Sequence, residues 1–301
     1  MSTAQPAPTA GWHTPFASLA LIWGASFLFI KVSVAYLPAI DVALARVALG
    51  ATVLLCALAL TRRRLPRGRR TWAHLAVVAL VGNAAPFALL AYCETRISSV
   101  LAGIWNATTP LLVLLVATVM LPTERPTRAR LAGLLAGFAG VVVVLGPWNT
   151  QTGSQVTGQL MCLAAAACYG VAFPYTRRFL ADRPESALAL SAGQLLCASV
   201  QLAVVALLVG GDARGLPLDV VGSLLGLGVL GTGLAYILNY SVVRRAGATT
   251  ASTVTYLVPL VATILGVAVL GERLHWNQPA GAAVVLVSVA ASEGILAPRR
   301  G

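Results

Sequence analysis

The sequence predicts an all-α integral membrane protein: ten transmembrane helices arranged as two five-helix inverted repeats. Composition, a stretch written twice and the placement of arginine predict it. Of 301 residues, 58% are hydrophobic and only 10% charged, with a mean hydropathy of +0.85. A soluble fold needs about a quarter of its residues charged to cover its surface. The doubled stretch runs first from Ser98 and Ser99 to Pro110, through an apolar run to Met120, and on to Glu124-Arg125 and Gly133. It returns as Gly247 and Ala248, Pro259, an apolar run to Leu270, Glu272-Arg273 and Gly281. The spacing agrees to within one residue, and a period of this length late in each half marks a chain built from two copies of one unit.

Taken in order, residues 1–14 are polar, rich in Pro and Ala, and without Lys or Arg. They read as a disordered cytoplasmic tail and not as a cleaved secretory signal. Ten apolar segments follow, each close to the roughly 20 residues that cross a bilayer core as helix. They lie near 15–36, 39–60, 73–93, 98–121 and 128–147 in a first repeat (15–147), then 157–177, 187–209, 218–240, 248–270 and 278–297 in a second (157–297). Turn-forming residues separate them, among them Pro38, Pro66, Pro122, Pro147-Trp148-Asn149, Pro184 and Gly210-Gly211. The first segments of the two halves align: Trp23-Gly24-Ala25-Ser26-Phe27 with Lys31 beyond matches Tyr169-Gly170-Val171-Ala172-Phe173 with Arg177 beyond, at identical spacing.

Positively charged loops stay in the cytoplasm. With the N-terminus inside, the inside loops carry the arginines of 62–70, 125–130, 177–183, 244–245 and 299–300, and the outside loops only Arg96, Arg214 and Arg273. Both termini are therefore expected in the cytoplasm, with the chain in the cytoplasmic (inner) membrane. The basic run Thr61 to Arg70 suits lipid binding, but anchoring the orientation already explains it. Five spans per repeat is an odd number, so the second half enters the membrane upside down. Inverted units of this kind recur in secondary transporters, where they open a midplane site to each side in turn.

The WGASF stretch of the first segment, Pro38 and Arg46 around the second, and the twice-written small-residue, proline, Glu-Arg, glycine unit resemble the drug/metabolite transporter superfamily, in its EamA-type ten-helix branch. The likeness covers about residues 15–297. It implies a transporter of small metabolites or drugs, often an exporter, with a central cavity lined by helices one, three, four, six, eight and nine. One departure is that Gly193-Gln194 stands near the position matching Arg46, so any role of that arginine is not doubled.

Polar and aromatic side chains at bilayer depth are costly against lipid and are expected to face protein or a wet cavity. The substrate-binding candidates are Trp23, Ser26, Asn83, Asn106, Thr109, Tyr169, Gln194, Tyr236, Thr255 and Tyr256; Trp105, Thr108, Asn239 and Tyr240 lie at similar depth. Asn106 and Thr255 each stand four residues before a proline, which frees a backbone carbonyl one turn earlier. Cavity lining and hydrogen bonding to a neighbouring helix are both open for that pair. For Trp105 and Tyr240, packing or an interfacial aromatic belt is expected. Lys31 and Arg46 pair with Asp41 or lipid phosphate, or attract an anionic cargo. Glu94 and Arg96 are expected solvated in a short outer loop.

Other chemistry is disfavoured. The net charge of +12 comes from arginines in short loops, not from a basic face studded with aromatics, so no nucleic-acid partner is expected. Cys56, Cys93, Cys162, Cys168 and Cys197 lack metal-ligand spacing and read as small buried hydrophobes, with neither disulfide nor metal site. Gly226-Leu227-Gly228-Val229-Leu230-Gly231 matches a dinucleotide fingerprint but sits in an apolar span with no preceding strand. Gly133 with Gly137, and Gly222 with Gly226, are small-residue pairs suited to close helix packing. No cofactor is called for, and no HExxH, P-loop or GxSxG motif is present. The expected function is secondary transport of a small amino-acid-like or other polar or amphipathic solute by alternating access, with the lipid bilayer and the solute as partners. The alternative is a membrane-embedded enzyme acting on a lipid-linked substrate.

Overall fold

The structure is a computed structural model that describes residues 11–120, 128–146, 148, 152–181, 183–211, 215–252 and 254–292. Its helical runs are α1 (His13–Val34), α2 (Ala39–Leu60), α3 (Arg69–Glu94), α4 (Ser99–Met120) and α5 (Arg128–Leu145). They continue as α6 (Gly153–Leu180), α7 (Ala187–Val209), α8 (218–252), α9 (Val254–Leu270) and α10 (Asn277–Ser292). Among the described residues no strand occurs. Seven helices are long and apolar enough to cross a membrane, namely α1 to α4 and α6 to α8, and shorter apolar helices cover Leu135–Leu145 and Val254–Leu270. The Glu124-Arg125 turn, Pro122, Glu293 and residues 1–10 lie outside the described residues.

These segments are helical because they are rich in Leu, Ala and Val, and because a dehydrated backbone must close its hydrogen bonds within the segment. Where ends need partners, the sequence supplies caps: Ser98 accepts from Leu101 N, Ser186 from Ala189 N, and Thr152 forms a reciprocal box with Gln155. Large apolar side chains point outward along the helices, Leu60 at 86%, Leu207 at 87% and Leu218 at 90% exposure. In water such a surface drives aggregation; against lipid it is the expected exterior. Several helices outrun the sequence expectation. The sixth runs 153–180 instead of 157–177, and the eighth continues through 252 instead of ending at 240. Nothing between Tyr240 and Ala246 breaks a helix, so the charge of Arg244 and Arg245 marks where the helix leaves the apolar layer, not where it stops.

Two helices widen midway. Leu80–Ala84 of α3 and Gly226–Leu234 of α8 are π-helical, a conformation that recurs at functional sites. In α4 the helix breaks at Ala107 and Thr108, where Ala107 N bonds Ile104 O and Thr108 N bonds Trp105 O. Pro110 has no N–H to offer the Asn106 carbonyl, which would otherwise be its acceptor. Pro259, the sequence counterpart of Pro110, lies inside a continuous α9.

The packing is reciprocal between the first five and last five helices. α5 packs on α10 and α2 on α7. α1 packs on α9 as α6 packs on α4, and the π stretch of α8 meets α2 as that of α3 meets α7. One buried cluster joins Phe27, Ile104, Trp105 and Leu111 with Val258 and Ala262; a second joins Val47, Leu54 and Phe87 with Leu195 and Leu202. Cys93 and Cys162 form a disulfide pair within the first cluster, with Cα atoms 5.9 Å apart, and correct the expectation of separate thiols. The free thiols are Cys56, exposed, and Cys168 and Cys197, half-buried.

Close approach rests on glycine. A Cβ on Gly281 of α10 would stand 2.6 Å from Val144 Cγ2, 2.7 Å from Val144 N and 2.8 Å from Gly140 O. Of the expected small-residue pairs, Gly137 abuts Leu111 and Gly226 abuts Phe29, but Gly222 faces open space within 4 Å. A second tie joins distant parts of the chain: Glu272, after α9, accepts from Ser99 N at 2.7 Å, Ser99 Oγ at 3.0 Å and Val100 N at 2.9 Å, capping α4. Two stability predictions follow from this packing. Gly281→Ala drives a methyl into backbone atoms that cannot yield, and should cost about 1–3 kcal/mol, read as a lower melting temperature of the purified protein. Glu272→Ala strips three hydrogen bonds from a helix start and should cost about 1.5–3 kcal/mol, with Glu272→Gln losing less in the same assay.

Candidate functional site

The polar groups at mid-depth form a chain across three helices. Asn83, fully buried in the π stretch of α3, donates from Nδ2 to the Tyr236 hydroxyl of α8 at 2.8 Å. Its Oδ1 accepts from Gln194 Nε2 of α7 at 2.6 Å. Asn83 thus joins Gln194 and Tyr236, each more than a hundred residues from it in sequence, in one unit.

A second tie mirrors the first. Arg46 of α2, only 7% exposed, donates from Nε to Thr232 Oγ1 of the α8 π stretch at 3.1 Å. Thr232 in turn donates to Leu227 O at 3.1 Å, five residues back, holding the widened turn. Thr232 follows Asn83 by 149 residues, the interval that also separates Ser98 from Gly247 and Pro110 from Pro259. So a polar residue on the second helix of each half reaches the same register position of the other half's third helix. Arg46 also lies 3.8 Å over the Phe87 ring, within electrostatic range of Tyr169, Tyr236 and Glu94.

Glycine makes these approaches possible. A Cβ on Gly50 would stand 2.6 Å from Thr232 Cγ2, one on Gly233 2.7 Å from Val53 Cγ1, and one on Gly231 2.9 Å from Ser26 Oγ. The glycine-rich run 226–231 is therefore a packing surface that seats α8 between α1 and α2.

The charged residues of the first hairpin depart from expectation. Lys31 does not pair with Asp41; its Nζ donates to Glu94 O at 2.7 Å and Ile97 O at 2.8 Å, closing the end of α3. Asp41 Oδ2 instead accepts from Gly211 N at 2.8 Å. Arg46 stands seven residues into α2, about 10 Å along its axis, too deep to snorkel, and it is held by Thr232. Glu94, expected in solvent, is fully buried at the end of α3, and neither carboxylate oxygen has a hydrogen-bond partner among the described residues. Lys31, Glu272 and Arg46 lie within its electrostatic range. The physical reason is tertiary: α1 reaches this end of α3, where Lys31 binds the Glu94 and Ile97 carbonyls. Arg96 in the same turn stays part-exposed, donating from Nη1 to Tyr92 O and Thr95 Oγ1.

The remaining candidates are dispersed. Ser26 is buried and donates to its own helix at Ile22 O, 3.1 Å away. Trp23, Tyr169 and Tyr256 pack against the cluster around Phe27 and Trp105, and Tyr169 also borders the second cluster with Tyr236. Asn106, half-buried, ends the first piece of α4, and the Thr109 hydroxyl beyond the break is buried without a partner. Thr255 is half-buried in α9. Trp105 is a core residue whose Nε1 donates to Gln159 Oε1 at 3.2 Å, and Thr108 Oγ1 returns to Trp105 O.

A cavity of about 240 Å³ runs from the exposed Arg63 and Arg244 down to Tyr236, at the small end of ligand pockets. Leu54 and Ala57 of α2, Leu188 and Ser191 of α7, and Ile237 and Tyr240 of α8 line it. Of the helices the resemblance implies, only α8 contributes. Its floor, Tyr236, is the hydroxyl that Asn83 holds. Sequence reasoning left Thr232 out of this centre and weighed Arg46 as a contact of Asp41, lipid phosphate or an anionic cargo; the 149-residue register that links Asn83 to Thr232 is the signal that finds the former.

Comparison with known proteins agrees with this architecture. Residues 13–146 and 156–292 each match the EamA-like transporter family. An uncharacterized transporter of Archaeoglobus fulgidus is 25% identical over 276 residues, covering 89% of this chain and 93% of that protein. The uncharacterized transporter YyaM of Bacillus subtilis is 25% identical over 283 residues, covering 91% and 90%. A crystal structure 20% identical in sequence superposes with a TM-score of 0.66 over 93% of this chain and 95% of that one, which shows the shared fold. With both halves matched and seven helices long and apolar enough to cross a membrane, the chain belongs to the EamA-like transporter family of the drug/metabolite transporter superfamily, a family of multi-pass membrane proteins.

Proposed function

We propose that the chain is a ten-span secondary transporter of the cytoplasmic membrane that exports a small amino-acid-like or other polar or amphipathic metabolite by alternating access, with both termini cytoplasmic. The observation that carries this reading is the pair of reciprocal ties, Gln194 to Asn83 and Arg46 to Thr232, set beside a cavity that opens at Arg63 and Arg244. A midplane site at the junction of two inverted units is where alternating access operates. The reciprocal packing of the two sets of five helices supports two inverted repeats, here 15–147 and 157–297.

The export direction is what the resemblance implies, and the cavity adds which side stands open. It opens at Arg63 and Arg244, on the arginine-rich face that the positive-inside rule assigns to the cytoplasm. The opposite, arginine-poor end is tied by Asp41 to Gly211, Lys31 to the α3 end, and Glu272 to α4. A carrier closed outside and open inside is poised to load cargo from the cytoplasm.

Three measurements test the proposal. Purified protein in liposomes should exchange labelled solute drawn from a panel of amino acids, nucleosides and organic acids; turnover of a lipid-linked substrate with no solute flux would instead make it an enzyme. Asn83→Ala, which severs the Gln194–Asn83–Tyr236 chain, and Asn106→Ala should each lower exchange about tenfold with membrane abundance unchanged; unaltered exchange would make those amides helix contacts only. Cysteines placed at 124 and 272 should react with an impermeant thiol reagent from opposite sides of the membrane, and labelling from one side would end the inverted-repeat reading.

A further inference from the structure

We propose that the cargo is an organic anion, a carboxylate or similar oxyanion on an apolar body, and that the Arg46 guanidinium is its anchor. This rests on the transport reading and deepens it. Arginine stays charged at any physiological pH, and a charged group held this deep in an apolar layer is costly unless paired. Yet Arg46 is more than nine-tenths buried with one protein acceptor, the neutral Thr232 hydroxyl, at Nε. Its terminal N–H groups reach no acceptor among the described residues.

The protein's own carboxylates do not hydrogen-bond it. Asp41 is committed to Gly211 N. Glu94 lies within electrostatic range, but its oxygens hydrogen-bond to nothing among the described residues, so it does not clasp the guanidinium. The guanidinium carbon stands 3.8 Å from the centre of the Phe87 ring. The terminal N–H groups are the edge with which a guanidinium grips a carboxylate through two parallel hydrogen bonds.

The surroundings complete an anion site. Tyr236 accepts from Asn83 Nδ2 and so keeps its own O–H to donate. Tyr236 also lines the cavity and lies within electrostatic range of the buried cation. Ala57 in the cavity wall stands eleven residues after Arg46 on α2, about 16 Å along the axis and within about 20° of the same face. The mouth presents Arg63 and Arg244, which draw an anion inward. Between mouth and floor the wall is apolar, with Leu54, Leu188 and Ile237, and no carboxylate lines it to receive a cation. A solute with one anionic end and an apolar body satisfies each of these groups, whereas a neutral or cationic one leaves Arg46 uncompensated.

Three probes of one shape separate the cases: 3-phenylpropionate, 3-phenylpropanamide and 3-phenylpropylamine, tested by thermal shift on the purified protein and by exchange in liposomes. The carboxylate should raise the melting temperature and exchange at least tenfold faster than the amide or amine at equal concentration. Arg46→Gln should abolish the preference for acid over amide, Arg46→Lys should keep part of it, and Thr232→Val, which frees the guanidinium from its one acceptor, should weaken the carboxylate alone. If Arg46→Gln does not fold, the wild-type discrimination and the Thr232→Val result decide. Amide or amine moving as fast as the carboxylate overturns the anion site while leaving the transporter intact, as does an Arg46→Gln protein that still prefers the acid. If neither these probes nor the amino acids and nucleosides move, the transport reading falls together with the anion site.

Discussion

The structure depends on two hydrogen bonds that cross between its halves, Gln194 to Asn83 and Arg46 to Thr232. Apolar attraction does not select one arrangement of helices in lipid, since the tails are as apolar as the leucines they surround. Polar groups without water do select, because each must find a partner inside the protein. Both acceptors sit in π-helical stretches, and both donors come from the second helix of the opposite half. The two ties fix α2 against α8 and α7 against α3, and the rest of the packing follows by exchange of one half for the other.

Glycine is what lets these bonds close. Gly50 and Thr232 face each other with no room for a methyl, and Gly231 brings backbone to the Ser26 hydroxyl. The run 226–231 looks like a nucleotide fingerprint only when read as a string. In space it is a smooth helical surface between α1 and α2, and its widened turn is stabilised by the Thr232 hydroxyl on Leu227 O.

The two ends of the molecule differ in openness. At the arginine-poor end, three side chains reach backbone groups of other segments: Asp41, Lys31 and Glu272. At the arginine-rich end Arg178 and Arg245 likewise donate to the Met120 and Gly11 carbonyls, but there a cavity lies among α2, α7 and α8 with Tyr236 in its lining. The cavity, and not the hydrogen bonding, therefore marks the open side. The two buried ionisable groups of this region, Glu94 and Arg46, lie within electrostatic range of each other.

The helical class, the membrane setting, the family and most helix limits were legible in the sequence, because apolar run length and composition are local properties that a bilayer reads directly. Within the site, Asn83, Gln194 and Tyr236 could be picked out one by one as polar groups too deep for lipid, but not as a chain, since their contacts join residues over a hundred positions apart. Local spacing misplaced other residues for the same reason. Glu94 looks like a solvated turn residue until α1 is laid over it, and Lys31 and Arg46 look alike until one closes the end of α3 and the other stands beneath Phe87. The sequence by itself determined how many residues each helix could commit to the apolar layer and which of them were polar. Only the tertiary structure decided which polar group meets which, because in a medium without water that choice is made by the neighbouring helix and not by the neighbouring residue.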